Sequence, residues 1–117
     1  MDSSTAITRL AHAVPAGRQA AVLEATTAQL RKDLNAPQLV EPAVGDGAFE
    51  ALRAAVRTVL EERVSGGALG QVLYRVDVPE GQYRRAMEAG GLHELAGAVV
   101  LRCLQKVLTR ERAAGRG

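Results

Sequence analysis

The decamer Leu95-Ala-Gly-Ala-Val-Val-Leu-Arg-Cys-Leu104 is apolar or glycine at every position except Arg102. A surface helix keeps its apolar residues on one stripe, and a helix that is apolar nearly all round is a buried one. This run therefore predicts a central helix with neighbours on several sides, starting near Leu92 and reaching about Arg110. Gly97 costs about 1 kcal/mol relative to alanine inside a helix. Its place between Ala96 and Ala98 predicts that another helix crosses closely there.

Working outward, helical spacing accounts for almost the whole chain. Ile7, Leu10, Ala11 and Val14 mark a first helix, started by Ser3 or Ser4 and stopped by Pro15-Ala-Gly17. Leu23, Thr26, Thr27, Leu30 and Leu34 mark a second, ended by Asn35-Ala-Pro37. A loop of roughly a dozen residues follows, with Pro42 and Gly45-Asp-Gly47, and Asp46 is the expected N-cap of a third helix. That helix carries Phe49, Leu52, Val56, Val59 and Leu60 and breaks at Ser65-Gly-Gly67. Leu69, Val72, Leu73 and Val76 form a short fourth helix; a fifth runs from about Pro79 to Ala89 and stops at Gly90-Gly91. The expected fold is an all-α bundle of five or six helices, last helix central and buried. It spans residues 1–112 as a single domain, with 113–117 a flexible tail.

With 117 residues the chain fits one domain of the usual size, about 100–150 residues. Aromatics make up 3% of it against 47% apolar residues, so the core has to be built from Leu, Val and Ala. The net charge of +2 is unevenly spread: −2 over residues 1–50, zero over 51–94 and +4 over 95–117. A single cysteine, Cys103, excludes an intrachain disulfide and a cysteine-rich zinc site. The N-terminus starts with an acid and lacks a signal-like apolar run, and the longest apolar or glycine stretch, Leu95 to Leu101, is far short of the roughly 20 residues needed to span a bilayer. The expectation is a cytoplasmic protein with no membrane span.

The segment Tyr74-Arg-Val-Asp-Val-Pro-Glu-Gly-Gln-Tyr-Arg-Arg-Ala-Met87 allows two readings. In the first, Asp77 and Glu80 form a capping box, with Asp77 accepting from the Glu80 backbone N–H and Pro79 in the first helical turn. In the second, Leu69 to Ala89 resembles the helix-turn-helix of bacterial DNA-binding proteins. Val72, Val76, Val78 and Met87 occupy its apolar positions, and the resemblance implies that Gln82, Arg84 and Arg85 face a groove. The chain departs from that pattern at Leu73, where a small residue is preferred, and at Asp77, where the turn glycine stands. Glu80 at the start of a recognition helix would also meet phosphates with the wrong charge.

Other chemistry is sparse. His93-Glu94 begins like a zinc helix, but position 97 is glycine where the second histidine belongs, and no metal or other cofactor is expected. Gly66-Gly67-Ala-Leu-Gly70 lacks the preceding strand and the Lys-Ser or Lys-Thr of a phosphate loop. Cys103 reads as a small buried hydrophobe, with Arg102 and Lys106 turned to the opposite, solvated side. Arg102, Lys106 and Arg110 recur every four residues as a basic stripe, either a solvated face near a helix C-terminus or a docking surface for an acidic partner, a nucleic-acid backbone or an anionic surface. The function expected is that of a small non-catalytic interaction, adaptor or regulatory protein with a protein partner or self-association; the alternative is a DNA-binding regulator. The candidate surface comprises Tyr74, Tyr83, Arg84, Arg85, Arg102, Lys106 and Arg110, since Tyr and Arg are enriched at interface hot spots.

Overall fold

The computed structural model describes residues 3–115. Helix α1 (Ser3–Ala13) leads through a 3-10 turn (Ala16–Arg18) into α2 (Gln19–Leu34), which is followed by a long loop, α3 (Ala48–Ser65), α4 (Leu69–Val76) and α5 (Glu80–Gly115). The fold is all-α, with principal extents of 40 × 30 × 28 Å. Helix α5 packs against α1, α2, α3 and α4. Leu95, Ala96, Val99, Val100, Cys103, Leu104 and Val107 are buried in the core, so the decamer is the central helix its composition demands. Gly97 is buried with them.

The fifth and last predicted helices are joined into one element with a break at Gly91, whose φ of 65° and ψ of −143° are not helical. We treat α5 as two arms, N-terminal and C-terminal to that residue. Glycine alone reaches this backbone region at no steric cost. The sequence signal was correctly placed, and its physical meaning is a sharp bend. The C-terminal arm continues in helical form through Gly115; the last two residues of the expected tail lie outside the described residues.

Local polar contacts set the loops. The Gln19 side-chain amide donates to the Ala11 and Val14 carbonyls at 2.8 and 2.7 Å, closing the end of α1. Asn35 adopts the left-handed conformation (φ 51°) that ends α2, and Arg63 of α3 donates to the Leu34 and Asn35 carbonyls, both at 3.1 Å. The Arg31 guanidinium holds the Leu39 carbonyl at 2.7 Å, while Ala36 and Leu39 are buried and pin the loop to the core. The hydroxyls of Thr26 and Thr27 are buried inside α2 and are satisfied by the carbonyls one turn back, Val22 and Leu23.

Two predicted caps are corrected. Gly47, not Asp46, occupies the N-cap of α3, without a side-chain bond. At the other end of the short helix, Asp77 does not open α5: it closes α4, in the left-handed region with φ 68° and ψ 52°. Its N–H donates to Leu73 and Tyr74 carbonyls, and the Val78 N–H donates to the Leu73 carbonyl at 3.1 Å, the paired bonds of a Schellman ending. An N-cap residue takes extended backbone angles, so a residue already committed to the left-handed end of one helix cannot cap the next. Pro79 flanks α5 and supplies a carbonyl to the Tyr83 N–H at 3.0 Å.

Candidate functional site

The basic stripe of the C-terminal arm turns out to be engaged within the molecule. Asp33 of α2, only 7% exposed, receives Lys106 Nζ at 2.8 Å on Oδ2 and Gln29 Nε2 at 3.0 Å on Oδ1. The Gln29 carbonyl oxygen in turn accepts from the Arg110 guanidinium at 2.7 Å. Positions 29 and 33 lie one turn apart on α2, as 106 and 110 do on α5, so two helices meet through a four-residue polar ladder. Arg102 reaches the Asp77 carboxylate at 3.2 Å, tying the C-terminal arm to the turn after α4, and Glu111 pairs with Arg18. Three cations that read as a docking stripe in sequence therefore fasten α5 to α2 and to the α4 turn.

The same carboxylate reaches the cysteine. Cys103 Sγ lies 3.7 Å from Asp33 Oδ2, and Lys106, three residues on, faces that oxygen too. The expected opposition of Cys103 and Lys106 is thereby corrected: three residues of helix spacing bring both to one face. Burial pushes the Cys103 thiol up to about 12, and the Asp33 charge adds to the shift, while Lys106 works against it. A thiol held this firmly in its protonated form is a donor and a packing group, since the thiolate is the nucleophilic species.

The remaining candidates sit on α4 and the N-terminal arm of α5. Tyr74 is 86% exposed. Arg84 and Arg85 are also exposed, with Arg84 held 3.3 Å from Glu80 one turn back. Tyr83, like Val78 and Met87, is drawn inward and packs on the core. Arg75, next to Tyr74, is exposed as well, a residue that neither the capping box nor the groove-facing positions single out. Asp77 stands where the helix-turn-helix pattern has its glycine and takes the left-handed conformation with which helices commonly end. The charge is another matter. Residues 69–90 carry Arg75, Arg84 and Arg85 against Asp77, Glu80 and Glu88, which leaves the helix pair neutral.

A cavity of about 380 Å³ opens between α1, α2 and the loop leading into α3. It has no counterpart in any sequence motif, because its walls come from three separate parts of the chain. Among the described residues no cluster of His, Cys, Asp and Glu is grouped to hold a metal ion, and no helix is long and apolar enough to cross a membrane. The chain matches no protein-family model, no curated protein and no solved structure.

Proposed function

We propose that this protein is a non-catalytic interaction module that docks a protein partner through α4 and the N-terminal arm of α5, with Tyr74 as the anchor and the exposed Arg75, Arg84 and Arg85 as further contacts. The observation that carries this reading is the placement of Tyr74. The chain has only three aromatic residues. Phe49 and Tyr83 are spent on packing against the core, while Tyr74 stands in solvent. A large amphipathic ring with few rotatable bonds supplies contact area at low entropic cost, and Tyr and Arg dominate interface hot spots. The engaged stripe strengthens the choice of surface: Arg102, Lys106 and Arg110 have intramolecular partners, so they leave the docking face to α4 and the first arm of α5.

Site-specific photocrosslinking tests it. A benzoyl-phenylalanine replacing Tyr74 captures one discrete protein in cells, the same substitution at the exposed Thr58 of α3 does not, and adding Arg84→Ala/Arg85→Ala removes the capture. Equal capture from both positions, or capture that survives the arginine changes, would overturn the assignment.

A second reading, duplex-DNA binding, is favoured by the left-handed turn at Asp77. It predicts binding that weakens steeply between ~50 and ~200 mM salt and disappears in Arg84→Ala/Arg85→Ala. The neutral charge of the helix pair ranks it below a protein partner, because phosphate contacts depend on an excess of cations. Fluorescence anisotropy of a labelled duplex separates the two.

A further inference from the structure

The cavity beside α1 lies apart from the docking face and shares no residue with it. Its volume of about 380 Å³ falls within the usual range for small-molecule sites, ~300–1,000 Å³. Ile7, Leu23, Ala48 and Phe49 supply apolar wall, and Phe49 is the chain's single phenylalanine. Gln19 shapes the wall with its amide N–H donors already committed to the end of α1.

The two carboxylates of the lining outnumber its one basic group, the His12 imidazole. Asp46 and Glu50 both contribute, Thr8, His12 and Gln19 are the other polar side chains, and neither Lys nor Arg lines the cavity. Asp46 is exposed on the loop and is not spent on capping α3. Glu50 accepts one bond from Arg53 at 2.7 Å with its side chain 61% exposed, and an ionised carboxylate has about four acceptor sites. An apolar wall with carboxylates at its open side complements a molecule that is cationic at one end and apolar at the other. Either feature alone would leave the ligand undefined; together they set both its size and its charge.

We propose that this cavity binds a small organic amine, its hydrocarbon or ring body against Ile7, Leu23 and Phe49 and its ammonium group at the Asp46 and Glu50 carboxylates. Recognition combines burial of the apolar body with charge-assisted hydrogen bonds from the ammonium protons.

The test is a titration of the ¹⁵N-labelled full chain with phenethylamine, followed by amide chemical shifts, with phenylacetate as a probe of similar body and opposite charge. Saturable shifts are expected at Thr8, Ala11, Gly45, Ala48 and Phe49, with a dissociation constant on the order of 1 mM for so small a ligand. Phenylacetate is expected to bind at least about fivefold more weakly. The double variant Asp46→Asn/Glu50→Gln, whose amide at position 50 still accepts from Arg53, is expected to lose about fivefold toward phenethylamine while keeping the parent's spectrum elsewhere. Ala11→Leu, which adds bulk to the cavity wall, is expected to abolish the shifts. Shifts that fail to saturate, equal binding of phenylacetate, or unchanged affinity in the double variant would each overturn the proposal. None of these results bears on crosslinking through Tyr74, so the two readings fail separately.

Discussion

The two arms of α5 carry similar cations and use them differently. In the N-terminal arm, Arg84 pairs with Glu80 of its own helix and Arg85 stays exposed. In the C-terminal arm, Arg102, Lys106 and Arg110 reach across to Asp77, Asp33 and Gln29. The core explains the contrast. Leu95 to Leu104 pull the second arm into the middle of the bundle, where Arg102, Lys106 and Arg110 each meet a neighbouring element. The first arm buries chiefly Ala86, with Tyr83 and Met87 packed beside it, and projects its other face into water. Cation spacing alone is thus a poor guide to a binding surface, and the depth of the helix beneath it decides.

Substitutions in the two arms should separate most clearly in stability. Leu104→Ala, at a fully buried position, is expected to cost about 3 kcal/mol in denaturant unfolding, within the range for buried leucines. A loss below about 1 kcal/mol would show that the C-terminal arm is not the core.

The alkaline limb of stability comes next. The Cys103 thiol is raised from 9.0 to about 12 in the folded chain, so its contribution is fully present below about pH 9 and is lost as pH rises toward 12. The loss is expected to be on the order of 2–3 kcal/mol by about pH 11. Cys103→Ala should flatten the slope even though it lowers stability at neutral pH. In the folded protein at pH 8, an aromatic disulfide reagent should label Cys103 only through unfolding.

Asp33→Ala removes the acceptor shared by Lys106, Gln29 and Cys103 and is expected to cost about 2 kcal/mol. That is below the penalty for a fully buried pair, because Lys106 keeps some contact with water. Gly91→Ala tests the bend itself. A Cβ there would meet nothing within 4 Å, so the cost, ~1–2 kcal/mol, would come from backbone strain alone. Tyr74→Ala is the smallest effect, within about 0.5 kcal/mol. A larger loss would mean that the ring is structural and would remove it from the docking face.

Much of the fold was legible because it depends on local rules. The helix stops at Asn35, at Gly66-Gly67 and at Gly90-Gly91 follow from turn chemistry, and the apolar perimeter of the last helix forecast its central place. The caps were less legible. Asp77 satisfies the spacing of a capping box, yet its own backbone had a prior use in ending α4, and spacing carries no dihedral angles. The candidate surface divided along the same line. Tyr74, Arg84 and Arg85 remain outward, Tyr83 joins the core, and Arg102, Lys106 and Arg110 become fasteners between elements.

Periodicity and turn residues by themselves determined that this chain forms helices, where most of them stop, and which one lies in the middle, because those outcomes rest on neighbours within a few residues. Only the tertiary structure decided which charges are free. Asp33 and Lys106 are 73 residues apart in sequence and 2.8 Å apart in space, and the cavity walls come from α1, α2, the loop before α3 and the first turn of α3. Contacts of that range depend on how the core packs, which helical spacing does not encode.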